Sequence, residues 1–237
     1  MRAAHDAATK PSASFVLSSM RDQAPGPHAD FSGAIDLLDW DEFAGAVAQL
    51  QRSVPAALSR DSFSLLLVKQ EAHENSGTEI IGYVADTVLN PRHRAMMKRH
   101  AADESRHSRV FLALRRLITS DASVAAVAKK EPDPFLARYQ GDLASFLWDT
   151  HFAEISSIFY LDTVRRAVTH PQQAIRRKID AALARVIADE RRHVASTASI
   201  LSDLFRDDPL MVARMQASFS DYVHAVREQA ERRTAEH

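Results

Sequence analysis

The sequence predicts an all-α protein in which two long helical hairpins are joined and flanked by additional helices. Three observations predict it. Only six glycines occur in 237 residues, and past Gly82 there is just Gly141. Ala, Leu, Arg and Glu dominate, and no stretch shows the Val/Ile/Thr alternation that strands require. Prolines then punctuate the chain at Pro55, Pro91, Pro132 with Pro134, Pro171 and Pro209, each between long glycine-poor segments.

Taken in order, residues 1–35, with "KPSASFVLSSMRDQAPGPHADFSG", are rich in Pro, Ser, Gly and Ala and read as a poorly ordered tail. A single helical domain fills 36–237. A short helix is expected around 40–53. Residues 59–90, 91–120, 135–170 and 171–206 then form four helices of about 30 to 36 residues. Proline costs nothing at the first helical position, and "LNPRH" and "DDPLM" place Asn90 and Asp208 ahead of it as N-caps. A last helix is expected over about 209–234. Short turns at Pro91 and Pro171, with the longer "SDASVAAVAKKEPDP" (120–134) between the pairs, describe two hairpins connected by a crossing segment.

Composition excludes several classes of function. A formal net charge of −1 with 26% charged residues gives no electrostatic case for nucleic acid or an anionic membrane. No apolar run nears the roughly 18 residues that span a bilayer. The N-terminus shows no apolar stretch followed by a cleavage signal, so a cytoplasmic protein is expected. With no cysteine, disulfides, thiolate metal sites and thiol nucleophiles are all excluded, and any metal must be held by oxygen and nitrogen.

Two motifs carry the chemistry. Asp103-Glu104-x-x-His107 recurs as Asp189-Glu190-x-x-His193. Residues three apart share a helix face, so each Glu–His pair can reach one metal ion. Both pairs interrupt apolar stripes: Met97, His100, Glu104, His107, Phe111, Leu114 in one helix, and Ile179, Val186, Glu190, His193, Thr197, Ile200 in the other. A carboxylate on a buried face needs a cation or hydrogen bonds to compensate it. The preceding helices each offer a partner. A shift of eighty residues lays Glu74 on Glu154, Gly77 on Ser157, Val84 on Val164 and Pro91 on Pro171. Glu71, one turn before Glu74, competes with it for the first-helix position. One Glu from each of two helices, plus Glu-x-x-His from each of the other two, is a di-iron or di-manganese ligand set. Carboxylate and imidazole donors suit Fe and Mn alike.

Glu74 followed by Asp103-Glu104-x-x-His107, then Glu154 followed by Asp189-Glu190-x-x-His193, resembles the doubled E-x(28–37)-D-E-x-x-H signature of ferritin-like di-iron oxygenases. The likeness spans residues 59–206. It extends to p-aminobenzoate N-oxygenase-like proteins and, with "LNPRH" before the first motif, to aldehyde-deformylating oxygenases. The resemblance implies a ferritin-like four-helix bundle of two helical hairpins with additional flanking helices. It implies two iron ions, manganese being the alternative, with O2 as co-substrate. Glu74, Glu104, His107, Glu154, Glu190 and His193 would be ligands, and Asp103 and Asp189 would orient the ligand histidines. In the N-oxygenases an additional ligand histidine stands one turn before the Glu of the second motif. Here that position is Val186, and His100 stands at the equivalent place in the first motif.

The expected function is an O2-dependent oxygenase hydroxylating, N-oxygenating or otherwise oxidising a small molecule. Its reducing equivalents would come from an external donor or the substrate, and its expected assembly is a homodimer. Thr150 and Thr197 are the hydroxyls expected to hydrogen-bond a bound oxygen species. Phe63, Phe111, Phe146, Phe152 and Phe159 are expected in the core, and His73, His93 and His170 in solvent. The alternatives are a ferritin-type ferroxidase and a di-manganese or rubrerythrin-like protein that removes peroxide. A radical-generating reductase subunit is disfavoured by the short chain.

Overall fold

The computed structural model describes residues 10–20, 29–121, 124–126, 139, 141–205, 208 and 210–235. Among them are eight helices: α1 (Ala13–Ser19), α2 (Ala29–Asp36), α3 (Trp40–Arg52), α4 (Arg60–Thr87), α5 (Pro91–Thr119), α6 (Leu143–Ala167), α7 (Gln173–Leu204) and α8 (Met211–Ala235). The all-α expectation holds, and the four long helices fall within the predicted segments. Most of the crossing segment 120–134 lies outside the described residues, as do 1–9 and 21–28 of the expected tail.

The helix ends follow from local chemistry. The Ser59 hydroxyl accepts from the Ser62 N–H to start α4. The Asn90 side chain accepts from the N–H groups of Arg92 and His93, with Pro91 in the first turn of α5. Ser120 closes α5 in the left-handed region at φ 56°. Asp142 caps α6, and Asp208 accepts from the Leu210 N–H ahead of α8. Leu58 joins the segment before α4 to the end of α6, its N–H donating to the Ala167 carbonyl at 2.9 Å.

Packing then assembles the elements. α4 lies along α5, α6 lies along α7, and α5 meets α7 between the two pairs. α8 packs on α3 and α6. The stripes read from the sequence are the buried faces: Phe63, Leu67, Ile81 and Val84 on α4 with Val88 just after it, and Ile179, Val186 and Ile200 on α7, all belong to the core. Phe63, Phe111, Phe146, Phe152 and Phe159 are buried as expected. Aromatic contacts fix α8, with Phe219 and Tyr222 both against Phe43 and Phe152.

Two expectations need correction. The described part of the N-terminal tail is helical and packed: Phe15, Val16 and Met20 of the α1 region and Phe31 and Ile35 of α2 are buried. Phe31 stacks on Trp148 at 6.0 Å between ring centroids and meets Phe205 edge-on at 5.6 Å. These helices have seven and eight residues, too short to hold in isolation, so tertiary burial stabilises them. His93 is also buried rather than solvated, because Asp203 on α7 reaches its Nε2 at 2.9 Å.

Phe31→Ala therefore removes a fully buried ring and should destabilise the protein by about 3–5 kcal/mol. Urea denaturation followed by circular dichroism measures this. An unchanged midpoint would mean that α2 is not docked.

Candidate metal centre

The middle of the α4–α7 assembly is polar. Glu74 on α4, His100, Glu104 and His107 on α5, Glu154 on α6, and Glu190 and His193 on α7 are all buried. They form two groups whose ligand-type atoms lie within 4.8 Å of one another: Glu74, Glu104 and His107, and His100, Glu104, Glu154 and His193. Glu104 belongs to both. Glu190 lies between the two histidines, with Oε2 at 2.8 Å from His193 Nδ1 and Oε1 at 3.3 Å from His107 Nδ1.

His100 is inside the cluster, and it belongs to the group around the second motif. Its Nε2 is 2.8 Å from Glu154 Oε1 and 3.0 Å from Glu104 Oε1. Its ring stacks on that of His193 with centroids 3.7 Å apart. Glu71 lies outside both groups. Arg115 on α5 donates to it at 2.6 Å, so the first-helix carboxylate that joins the cluster is Glu74. The antiparallel run of α4 and α5 explains the division, since the earlier Glu71 meets the later part of α5.

Asp103 and Asp189 organise the histidines by exchange. Asp189 Oδ2 lies 3.2 Å from His107 Nε2, and Asp103 Oδ2 lies 3.4 Å from His193 Nε2. Each aspartate thus serves the histidine of the other motif. The His193 hydrogen bond holds the Asp103 carboxyl well below its usual range, with Arg106 adding to it. Burial raises Asp189, but hydrogen bonds from Arg106, His107 and Arg192 outweigh it and the net shift is downward. An ionised carboxylate only accepts, so both Nε2 atoms carry the proton and both Nδ1 atoms face the cluster.

The sequence reading overlooked two residues here. Arg106 donates to Asp103 at 2.6 Å and also to Asp189. Arg192 pairs with the same two aspartates. The signal was available, since both motifs read Asp-Glu-x-Arg-His.

The donor set fits metal ions. Glu74 Oε2, Glu104 Oε1 and His107 Nδ1 are buried and make no hydrogen bond. Ring nitrogens of His100 and His193 stand 3.0 and 3.2 Å from Glu104 Oε1, yet none is aligned to donate to it. Orphaned buried polar atoms are costly, and cations held by the two groups would satisfy them.

Without a cation, protons carry the neutralisation. Burial, and then the Glu104 charge, push Glu74 well above the usual carboxylate range. Burial, then Glu154 and Glu104, raise Glu190. Burial raises Glu104 as well, but its close contacts with Glu74, His100 and His193 outweigh it and carry it well below. Burial would lower His107, but its contacts with Glu190 and Glu74 prevail and lift it to about 11. His193 is raised in the same way: burial opposes the shift, and Asp103, Glu104, Glu154 and Glu190 overcome it.

The two threonines lie close by. Thr150 donates to the Phe146 carbonyl at 2.8 Å, and Thr197 to the His193 carbonyl at 2.9 Å. Their hydroxyl protons are therefore spent within their own helices. Thr197 Oγ1 also lies 2.8 Å from His151 Nδ1. Burial pushes His151 down to about 3, so its ring is neutral.

A cavity of about 360 Å³ reaches the cluster from one side. Gly77, Glu104, Thr150, Glu154 and Ser157 form its inner part. A Cβ at position 77 would stand 3.7 Å from Glu104 Cγ, an ordinary contact distance that alanine would also accept. No family model matches the chain, and neither the curated proteins nor the solved structures give a match. Among the described residues, no helix is long and apolar enough to cross a membrane.

The metal-free protein should lose stability as pH rises. His107 titrates near 11 when folded against 6.5 ordinarily, so its contribution is complete below about pH 6.5 and is lost towards about pH 11. The raised Glu74 and Glu190 act in the same direction, because the folded state again binds the extra proton. Bound metal replaces these protons and should flatten the fall. Urea midpoints at about pH 6, 8 and 10, with and without metal, measure this. Metal-free midpoints that stay level would contradict the proton assignment.

Proposed function

We propose that the protein is an O2-activating non-haem di-iron oxygenase that acts on a small molecule by hydroxylation, N-oxygenation or a related oxidative step. The observation that carries this reading is the pair of buried ligand groups sharing Glu104, in which three buried ligand-type atoms make no hydrogen bond. In this reading α4–α7 are a ferritin-like four-helix bundle. The pairing of α4 with α5 and α6 with α7, joined through α5 and α7, supports that reading.

Glu74, Glu104 and His107 would hold one ion. Glu154, His193 and Glu104 would hold the other with His100 as an additional ligand, and Glu190 would lie between them. Four carboxylates offset the charge of two divalent ions. The bound pair supplies the electrons and the binding site for O2 reduction. The chain's own residues supply position, proton inventory and dryness. Asp103 and Asp189 hold the Nε2 protons, leaving each Nδ1 lone pair for the metal. Phe111, Leu147, Ile81 and Met97 exclude water from the adjoining layers. The face bearing Glu104 and Glu154 is the one a substrate can reach, since both line the cavity. With no cysteine to build an electron-transfer centre, electrons come from an external donor or the substrate.

Purified protein should carry about two iron ions per chain, matching the ligand set. Anaerobic Fe(II) loading followed by O2 should give rapid O2 consumption at an electrode. Glu104→Ala and Glu190→Ala should each lose metal. Zero or one bound ion would overturn the reading, as would manganese with oxygen release from peroxide. A large spherical assembly would favour iron storage instead.

The two metal positions should also differ. His100 adds a donor to the Glu154 and His193 group alone, and its counterpart in the second motif is the buried Val186. In a stepwise metal titration, His100→Leu should weaken one binding step by about 10- to 100-fold, as loss of a supporting donor does elsewhere. Equal weakening of both steps would place His100 outside the ligand set.

A further inference from the structure

The outer face of the α5–α7 pair is basic along most of its length. Residues seven apart return to nearly the same side of a helix, so Arg92, Arg99 and Arg106 form one row on α5, with Arg109 a turn beyond. Lys178, Arg185 and Arg192 form the matching row on α7. The two helices run antiparallel here, since Arg92 pairs with Asp203, Arg106 with Asp189, and Arg192 with Asp103. The rows therefore flank one groove. Ala102, Ala181 and Ala188, all exposed, each stand one turn after a basic residue of these rows. No bulky side chain at those positions keeps a partner away from the groove.

The acids on these helices do not offset the rows. Apart from the buried Glu104 and Glu190, α5 and α7 carry only Asp103, Asp180, Asp189 and Asp203. Asp180 pairs with Arg165 and Arg176, towards α6. Asp203 is held by Arg92 and His93. Asp103 and Asp189 are held by Arg106 and Arg192. Arg99, Arg109, Lys178 and Arg185 remain, all exposed and, among the described residues, without an ion-pair partner. Glu104 and Glu190 lie beneath the face in the cluster, where ions or protons offset them. On the α4 side of α5, Asp86 is taken by Lys98 at 2.6 Å. On the other flank α1 brings no acid among its residues, and Arg191 lies over its Phe15 ring.

The kind of partner follows from charge and position. The whole chain has a formal charge of −1, so a basic face leaves the remaining surface acidic. A long polyanion or an anionic membrane would meet that acid beyond the groove, whereas a compact acidic protein would not. The groove also gives a short polar route to the cluster. Arg106 and Arg192 reach Asp103 at 2.6 and 3.3 Å, and Asp103 Oδ2 stands 3.4 Å from His193 Nε2. Asp189 Oδ2 stands 3.2 Å from His107 Nε2 in the same way. Two contacts thus separate the surface from each ligand-type imidazole. The cavity that reaches Glu104 and Glu154 is lined from α4, α6 and α8, so a partner on this face leaves it open. Electron-transfer encounters are small interfaces steered by complementary charge, which suits four unpaired cations around a shallow groove.

We propose that the α5–α7 groove is the docking surface for a small acidic electron-transfer protein, steered by Arg99, Arg109, Lys178 and Arg185. The partner is the external donor of the oxygenase reading, and the redox part rests on that reading; the docking rests on the charges alone. The partner is oxidised by one electron per encounter, and two encounters return both ions of the bound pair to the ferrous state. Electrons then enter on one side of the cluster and substrate on the other.

The test is calorimetric titration of the full chain with a plant-type [2Fe–2S] ferredoxin, an acidic carrier, with metal content measured on the same sample. The ferredoxin should bind, and affinity should fall at least about tenfold between about 10 and 150 mM ionic strength, as the screening length drops from about 30 to about 8 Å. A basic c-type cytochrome should not bind. Arg99→Glu with Arg185→Glu should weaken ferredoxin binding about tenfold at low salt, with metal content and circular dichroism unchanged. Arg52→Glu with Arg60→Glu, the same charge change on α3 and α4, should leave binding as it was. In iron-loaded protein without O2, the first pair should slow oxidation of reduced ferredoxin and not reduction by dithionite. No binding of ferredoxin, or equal weakening by the two pairs, would overturn the proposal. Tighter binding to phosphatidylserine vesicles or to a DNA duplex would overturn it as well. Groove-dependent ferredoxin binding by a chain that holds no metal would uphold the docking surface and remove the oxygenase reading. Two bound irons that dithionite reduces, with no ferredoxin binding, would do the reverse.

Discussion

Four carboxylates buried within reach of one another are the constraint on which the rest of this structure depends. Glu74, Glu104, Glu154 and Glu190 could not share a dry interior as four anions, since each buried charge costs several kcal/mol even after relaxation. Cations or protons must offset them. The raised Glu74, Glu190, His107 and His193 are the proton solution. The orphaned oxygens and nitrogen are what that solution leaves unsatisfied. A site that protons neutralise only incompletely is one that could hold a metal ion.

Reciprocity holds the cluster together. Because Asp103 serves His193 and Asp189 serves His107, neither motif is complete alone. Arg106 and Arg192 each touch both aspartates and close the α5–α7 side. The α4 and α6 side is different: Gly77 and Ser157, equivalent in the repeat, are small, and the cavity enters there. One side of the cluster is locked by ion pairs and the other is open. The duplication thus fixes the donors, and its departures give the site direction.

What could be read in advance divides along the range of the interactions. The helix cap at Asn90, the buried stripes and the Glu-x-x-His spacing depend on residues within a turn or two, and they were legible. The choice between Glu71 and Glu74 was open in the sequence because it turns on Arg115, forty-four residues away on a neighbouring helix. Burial of His93 depends likewise on Asp203. The exchange of aspartates between motifs left no local trace. Helices α1 and α2 were missed because a Pro/Ser/Gly-rich composition says nothing of Phe15 packing on Phe159 or Phe31 on Trp148.

The flanking helices change what surrounds the centre. The sequence resemblance ends at residue 206, and the donors all lie within it, so α3 and α8 look dispensable from sequence. Yet Phe43 of α3 holds Phe219 and Tyr222 of α8, and both α8 rings also pack on Phe152 of α6. That aromatic cluster sets the register of α8 and carries Arg232 and Arg233, about three to four turns further on, to the cavity lining. The buried donors fix what the centre can hold, while the flanking helices add Leu50, Tyr222, Gln229, Arg232 and Arg233 to the cavity beside it. Those side chains are held in place by packing on α6 rather than by any bond to the centre itself.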